Sequence, residues 1–540
     1  MKSNLKSFEI VLIILFCVTG CVPNSFTVTK KKSISPNSFG LKQAKTGEER
    51  FEVLLNTHKA ALQQGLVVDY SNIDTIDITI PKGAESIPLG SNNDFKGVVF
   101  NVTNQSQDVF LFSYINKFES ADVPAELIDN GVFYEIPSLN HGKKLLVIED
   151  QSPWVENRSG YSYGHIRRDI LLLKNGKAQN QCVMPYNNEQ SSPKCKVYNV
   201  EFPYLIIKNL SFNRSTNSGY KTFLCNIKGT DNVHFQNISI YTPQSDLVED
   251  MAINIVDCTN VNLDNVAING TYSRTDYSGY GICMNTIWKF TAIRLTAHAN
   301  WGIFGDNNIN VVNIYNSDIN RFDIHCYGRD VYFRKVYFSG LYNQFSSVFG
   351  SIIFDNCIFD NFTPIVYEYT YNTYNKHEVL FKDCTHKLSS RRNYLIFAGI
   401  LSDERNKRNE LSEKYWPKLT INNMRFEVPQ DVGNYYVYCV RKEDVKNAKL
   451  DHILDVTING MDFYYNEGAK PINVNLSNVS VYTVEAFNIN IKDLNIFTKQ
   501  EEKELGNKGN LYINITGNNK VSRVNVSHSM ISNYSFFNNK

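Results

Sequence analysis

Eight short segments share one pattern of apolar and polar positions: LIIKNLSF, VHFQNISI, VNLDNVAI, WKFTAIRL, VNIYNSDI, VYFRKVYF, IIFDNCIF and VLFKDCTH, starting at residues 205, 233, 261, 288, 312, 331, 352 and 379. The third position is always apolar, as Ile207, Phe235, Leu263, Phe290, Ile314, Phe333, Phe354 and Phe381 show. The sixth and eighth are apolar too, apart from Ser317 at one sixth position and His386 at one eighth. Third, sixth and eighth cannot share one face of an unbroken strand, whose side chains alternate with a period of two. The chain must turn in between. The fifth position supplies the turn: Asn209, Asn237, Asn265, Asn316 and Asn356 stand there, with Ala292, Lys335 and Asp383 in the other three segments. Asparagine enters the left-handed backbone region more readily than other residues except glycine.

The spacings between segments are 28, 28, 27, 24, 19, 21 and 27 residues. Coils that stack while their loops vary in length produce such spacings. The pattern predicts an all-β chain, a right-handed single-stranded parallel β-helix (a solenoid), in which the turn asparagines stack as a ladder. Further segments begin at Val98, Lys418, Asp455, Val474 and Ile489, so the solenoid spans residues 46–540. Cys357 and Cys384 fall on the inward sixth position and read as small core residues.

Residues 46–65 change to helical spacing, with Phe51, Leu54, Leu55, His58, Ala61 and Leu62 on one face, and read as a short N-terminal capping helix over the open end of the solenoid. Two polar stretches, 141–192 and 386–416, read as loop excursions, the second carrying Arg391, Arg392, Arg405, Lys407 and Arg408.

Before each repeat segment lies a second strand: MAINI from Met251, GICMN from Gly281, WGIFGD from Trp301 and RFDIHC from Arg321. With Ile253, Ile255, Ile282, Met284, Trp301, Ile303, Phe322, Ile324 and Cys326 inward, alternation sets Asn254, Cys283, Asn285, Gly302, Phe304, Asp306, Asp323 and His325 outward. Two carboxylates on neighbouring coils, Asp306 and Asp323, are equipment for glycoside hydrolysis, with His325 as auxiliary acid or base. A carboxylate or His325 beside Arg321 and Arg329 equally suits proton abstraction next to a uronate carboxyl, the lyase route. Solvated surface is the plain alternative for such outward residues. Arg321, Arg329, Asn285, Asn254 and Tyr280 are the candidate substrate-binding residues, and Tyr272 and Tyr277 could also stack on sugar rings. His165, Arg167 and Arg168 in the first excursion suit an acidic sugar or plain surface charge. The trio Asp246, Glu249 and Asp250 offers oxygen ligands to calcium or is a solvated acidic loop. No other cofactor and no other metal is called for, since phosphate-loop, Ser-His-Asp and zinc spacings are missing from the sequence.

Composition narrows the rest. Lys and Arg number 55 against 54 Asp and Glu, which leaves no polycation for nucleic acid. The first twenty residues set Lys2 and Lys6 ahead of the apolar run from Ile10 to Val18, the layout of a signal peptide. Of the eleven cysteines, Cys182 and Cys195 flank a polar loop where they either pair or stay free.

Two stretches resemble known families. Val18-Thr19-Gly20-Cys21 resembles the bacterial lipoprotein processing box. The resemblance implies a signal peptide over 1–20, acylation of Cys21, a tether over 21–45, and an exported chain held to a membrane by lipid, on its periplasmic or outer-surface side. WGIFGDNN from Trp301 with INRFDIH from Ile319 is similar to a subgroup of right-handed β-helix proteins, related in fold to pectate lyases and found among phage-tail-associated and bacterial surface proteins. That resemblance covers about residues 70–385 and implies that Arg321, Asp323 and His325 belong to a subgroup signature; Ile324 stands where the subgroup has Ala. The expectation is a polysaccharide-active enzyme, a glycoside hydrolase ahead of a polysaccharide lyase, with a non-catalytic glycan-binding or adhesive surface protein as the alternative. Oligomeric state is open at this level.

Overall fold

A computed structural model describes residues 32–103, 105, 107–113, 118–121, 135–150, 168–182, 193–200, 204–214, 222–242, 251–270, 279–298, 302–346, 348–360, 363–367, 376–389, 393–398, 417–429, 432, 434–440, 454–465, 473–477, 487–498 and 523–527. The chain forms a parallel β-helix. Strands stack coil on coil in parallel register from Thr75–Thr79 on Asn92–Thr103 at one end to Phe487–Thr498 on Arg523–Ser527 at the other. One continuous apolar core runs inside it.

The corner expected at the fifth position is present. Asn209, Asn237, Asn265, Asn316, Lys335, Asn356 and Asp383 all have φ between 49° and 57°. Their side chains form the ladder: Asn209 donates to Asp94 (2.9 Å), Asn237 to Asn209 (3.0 Å) and Asn265 to Asn237 (2.9 Å). One segment is registered differently from the sequence alignment. Val261 pairs with Phe290 and Leu263 with Ala292, so the segment begins at Phe290 and its corner residue is Arg294, with φ 56°. The loop before it is two residues longer than apolar spacing suggested, and Trp288 belongs to the preceding corner region. A second difference concerns Val474: the strand Asn473–Ser477 pairs with Asn434–Val440 and belongs to the second sheet, not the repeat sheet. Ser317 sits inward because its hydroxyl donates to the Tyr315 carbonyl (2.7 Å) and accepts from the Leu295 amide (3.0 Å), which satisfies it without water.

The helix Gly47–Gln64 starts at a capping box, Thr46 with Glu49, and buries Phe51, Leu54, Leu55, Thr57, His58 and Ala61 against the first rungs. Leu62, expected on that face, is 42% exposed, because it lies at the margin where the helix leaves the coil. His58 is buried, bonded to the Pro88 carbonyl (3.0 Å) and the Tyr70 hydroxyl (2.7 Å). Burial pushes its imidazole down to about 4.

The first excursion is more structured than a loop. An antiparallel sheet is built from Phe118–Ala121, Lys143–Asp150, Arg168–Lys174, Lys177–Ala178 and Pro193–Asn199. Runs such as LLVI and ILLL bury both faces, which a polar reading of the whole stretch overlooks. One face encloses Leu146, Ile148, Leu171 and Leu173 with the buried cysteines Cys182 and Cys195; the other packs Leu145, Val147, Ile170 and Leu172 on Trp288. Polar contacts fix this insert to the coil corners: Tyr198 donates to Asp257 (2.9 Å), Lys143 pairs with Asp231, and the Arg168 amide donates to Asn308 (2.8 Å). In the second excursion, Tyr394–Ala398 is a coil strand paired with Thr363–Tyr367 and Asn434–Val440; Arg391, Arg392, Arg405, Lys407 and Arg408 lie outside the described residues.

Candidate active site on the second sheet

The strands that precede each repeat segment do form a second parallel sheet. Ile253 pairs with Ile282 and Asn254 with Cys283; on the next coil Ile282 pairs with Phe304 and Cys283 with Gly305. Phe304, expected to face outward, is therefore an inward residue. It has no exposed surface and stacks edge-on between Phe290 (5.3 Å) and Phe322 (5.2 Å) in a column of core rings. The two flanking glycines leave the period of this strand undefined, and burial of a phenylalanine, worth about 2–3 kcal/mol, decides it.

This shift moves Asp306. Its backbone is in register with Met284 on one side and Ile324 on the other, both buried residues, and one step out of the row that holds Asp323. The side chain of Asp306 lies outside the described part. Between Asp306–Ile324 and Asn307–Cys326 the register slips, which leaves His325 as the extra residue of a bulge. Bulges bend a strand and re-aim a side chain.

The site itself is built from four side chains. Tyr280 crosses one coil, and its ring lies where side chains of Gly302 and Gly305 would be: a Cβ on Gly305 would come within 2.9 Å of the ring and one on Gly302 within 3.1 Å. The two glycines of WGIFG are thus the bed for this ring. Its hydroxyl reaches the following coil, 3.4 Å from Asp323 Oδ2 and 3.3 Å from His325 Nε2. Tyr280 and His325 are half-buried, with part of their surface open to solvent. Asp323 has none exposed, and Arg321 only 2%.

Arg321 grips Asp323 with both arms of its fork, Nε to Oδ1 and Nη2 to Oδ2, each at 2.6 Å. Its guanidinium also lies 4.3 Å from the centre of the Tyr342 ring, and Nη2 donates to Gln344 Oε1 (3.3 Å). Burial raises the Asp323 carboxyl above its ordinary value, against the charge and hydrogen bonds of Arg321 and the Tyr280 hydroxyl. For Arg321 burial is the largest influence and acts downward, but the charge of Asp323, the neighbouring Tyr342 and Tyr280 and the hydrogen bond to Asp323 together raise the guanidinium above its ordinary value. We take the two as an ion pair: a neutral Asp323 would leave the guanidinium as a lone buried charge.

Arg321, Asp323, His325 and Tyr280 are thereby brought together. Among the described residues, Arg329, Asn254 and Asn285 stand apart from them. Arg329 stands past the next corner, against Asp330 (3.3 Å) and the Cys182 carbonyl (3.4 Å) of the insert. Asn254 donates to Asn226 (2.9 Å), which donates to Asp108 (2.7 Å), in a ladder of its own. Asn285 accepts from Thr286 (3.0 Å) and Asn308 (3.5 Å) at the corner where the insert docks. Tyr272, Tyr277, His165, Arg167, Asp246, Glu249, Asp250, Trp301 and Cys21 lie outside the described residues.

Sequence reasoning did not find Tyr342, Gln344 and Ser346. Asp323 pairs with Gln344 and Ile324 with Phe345, so the row continues one coil beyond the signature residues. A signal was available: the repeat segments at 331 and 352 are 21 residues apart, and the same step carries Asp323 to Gln344 and His325 to Ser346.

No family model matches the chain, and no curated protein matches it either. Among solved structures it is similar to the Gp54 tailspike of Acinetobacter baumannii bacteriophage AP22, determined in complex with A. baumannii capsular saccharide. The identity is 10% and the TM-score 0.52, over 89% of this chain and 76% of the tailspike. The tailspike gp61 of Pseudomonas phage phi297 (9% identity, TM-score 0.37, 92% and 81% covered) and the tailspike protein gp49 of Pseudomonas phage LKA1 (10%, 0.37, 92% and 83%) also match. The fold is the right-handed parallel β-helix.

Proposed function

We propose that this chain binds a polysaccharide along its second sheet and cleaves it by elimination beside a uronate, with His325 and Tyr280 as the acid–base pair. The observation that carries the reading is the Tyr280 hydroxyl held 3.3 Å from His325 and 3.4 Å from Asp323 on a half-open face. Elimination needs one group to take the proton next to the carboxyl and one to protonate the departing glycosidic oxygen. An imidazole and a phenol in contact serve both needs. The Arg321–Asp323 pair beneath them orients the phenol and keeps a fixed charge arrangement under the site. The saccharide bound by the AP22 tailspike supports a glycan as the ligand of this shared architecture.

Hydrolysis by Asp306 and Asp323, the leading expectation from the sequence, fits less well. A hydrolytic carboxylate must touch the anomeric carbon, a water or the glycosidic oxygen. Asp323 has no exposed surface, and Arg321 holds both its oxygens.

Incubation with a panel of uronate-containing glycans tests the reading. Unsaturated uronate ends, detected by ultraviolet absorbance, are expected, with a loss of roughly 100- to 10,000-fold in His325→Ala and Tyr280→Phe. Saturated reducing ends would point to hydrolysis instead. Tight binding without products would make the chain a glycan-binding surface protein. We also propose that Cys21 carries a lipid that holds the β-helix at a membrane of the cell envelope; Cys21→Ser should release the protein into the soluble fraction.

A further inference from the structure

We propose that Gln344 and Ser346 form a subsite for the carboxylate of the uronate, one coil beyond His325. The inference rests on the polysaccharide reading above and specifies its substrate class. Register places Gln344 beside Asp323 and Phe345 beside Ile324; Ser346 comes next, its amide donating to the Ile324 carbonyl (3.0 Å) just before His325. Both are almost closed off, Gln344 at 4% exposure and Ser346 at 0%. The amide of Gln344 has one possible orientation, because Arg321 has only donors and Gln344 must therefore turn its oxygen to it. Its Nε2 is then a donor with no partner, and the Ser346 hydroxyl has none either.

Buried polar atoms without partners are rare in folded proteins and mark water, strain or a ligand's place. Here two of them lie two residues apart on the chain, Gln344 beside the Arg321–Asp323 pair, and both can donate to an anionic acceptor with two oxygens. Adjacent coils are about 4.8 Å apart, so a carboxylate held at Gln344 and Ser346 sets the carbon that bears it in reach of His325. Elimination moves charge from that carbon onto the carboxylate, and fixed donors there stabilise the charge as it develops. Neither donor has accessible surface of its own, so a carboxylate reaches them only as the half-buried side chains of Tyr280, His325 and Tyr342 give way.

The test measures binding, so that it does not depend on turnover. His325→Ala protein is titrated calorimetrically with polygalacturonate, alginate, hyaluronan and heparosan oligosaccharides, each beside its carboxyl-reduced neutral form. At least one acidic form is expected to bind roughly tenfold or more tightly than its reduced partner, as hydrogen bonds to a charged group allow. Adding Gln344→Leu should erase that preference and leave the neutral form unaffected; Ser346→Ala should reduce it. Gln344→Asn, which withdraws the amide by one methylene, covers the case in which the leucine variant does not fold. Equal weakening for both forms, no preference in the parent, or no acidic glycan bound would each overturn the subsite. If acid preference follows Gln344 but wild-type protein cleaves nothing, the elimination reading falls and the subsite stands. If unsaturated products form and Gln344→Leu keeps the preference, only the subsite falls.

Discussion

The buried pair of Arg321 and Asp323 gives the sharpest test of the site. Arg321→Met removes a guanidinium that is 2% exposed and leaves Asp323, with no exposed surface, facing the methionine. Two contacts at 2.6 Å are lost, together with the hydrogen bond to Gln344 and the stacking on Tyr342. Breaking one half of a buried pair costs about 3–5 kcal/mol, mostly through the uncompensated charge left behind. Burial already raises the Asp323 carboxyl, and without Arg321 nothing of that size opposes it. The folded variant then holds a proton that the unfolded chain releases above about pH 4, so its stability must fall as pH rises from there toward neutrality. The deficit should be smaller at acid pH than at pH 7. Replacing both residues, Arg321→Met with Asp323→Leu, should recover stability to within about 1 kcal/mol of wild type, since an apolar pair needs no solvation. A solenoid need not unfold in one step, so the measure is hydrogen exchange of amides in Asp323–Cys326 and the strands paired to it, alongside urea unfolding. A cost under about 1 kcal/mol for Arg321→Met, or a double variant as unstable as the two singles summed, would refute the buried ion pair.

Three further outcomes follow from the geometry. Gly305→Ala would place a Cβ 2.9 Å from the Tyr280 ring, so the ring must move; glycan cleavage should drop as far as in Tyr280→Phe while the far-ultraviolet spectrum is unchanged, and full activity would show that the ring position is unimportant. Val311 is a β-branched residue at φ 59°, and Val311→Asn should raise stability by about 1 kcal/mol in urea unfolding; a lower midpoint would contradict a strained corner. His58 titrates at about 4 in the folded chain against about 6.5 unfolded, so the unfolded chain binds more protons between those values and stability is lost as pH falls through them, by about 3 kcal/mol in all. His58→Phe should flatten that stretch of the melting-temperature profile; an unchanged slope would place the titration elsewhere.

The sequence by itself determined the architecture. Apolar third, sixth and eighth positions with an asparagine between them admit a strand, a corner and a strand, and repetition of that unit leaves stacking as the only way to bury the apolar face. The corner residues, the asparagine ladder, the capping helix and the second sheet were all legible, because each rests on local chemistry repeated coil after coil. Register at irregular coils was not. The segment at 288 slipped by two residues to bring Arg294 to the corner, and Phe304 turned inward. Both depend on which large side chain fills the core opposite a neighbour already in place, a choice that only packing makes. The step of 19 residues between the repeats at 312 and 331 would have set Asp306 beside His325, but a bulge sets it beside Ile324 and makes His325 the extra residue. Tyr280 was legible as a residue near the site and not as its centre. Its reach to the next coil exists because two glycines there have no side chains, a relation between residues more than twenty positions apart that the tertiary structure alone expresses.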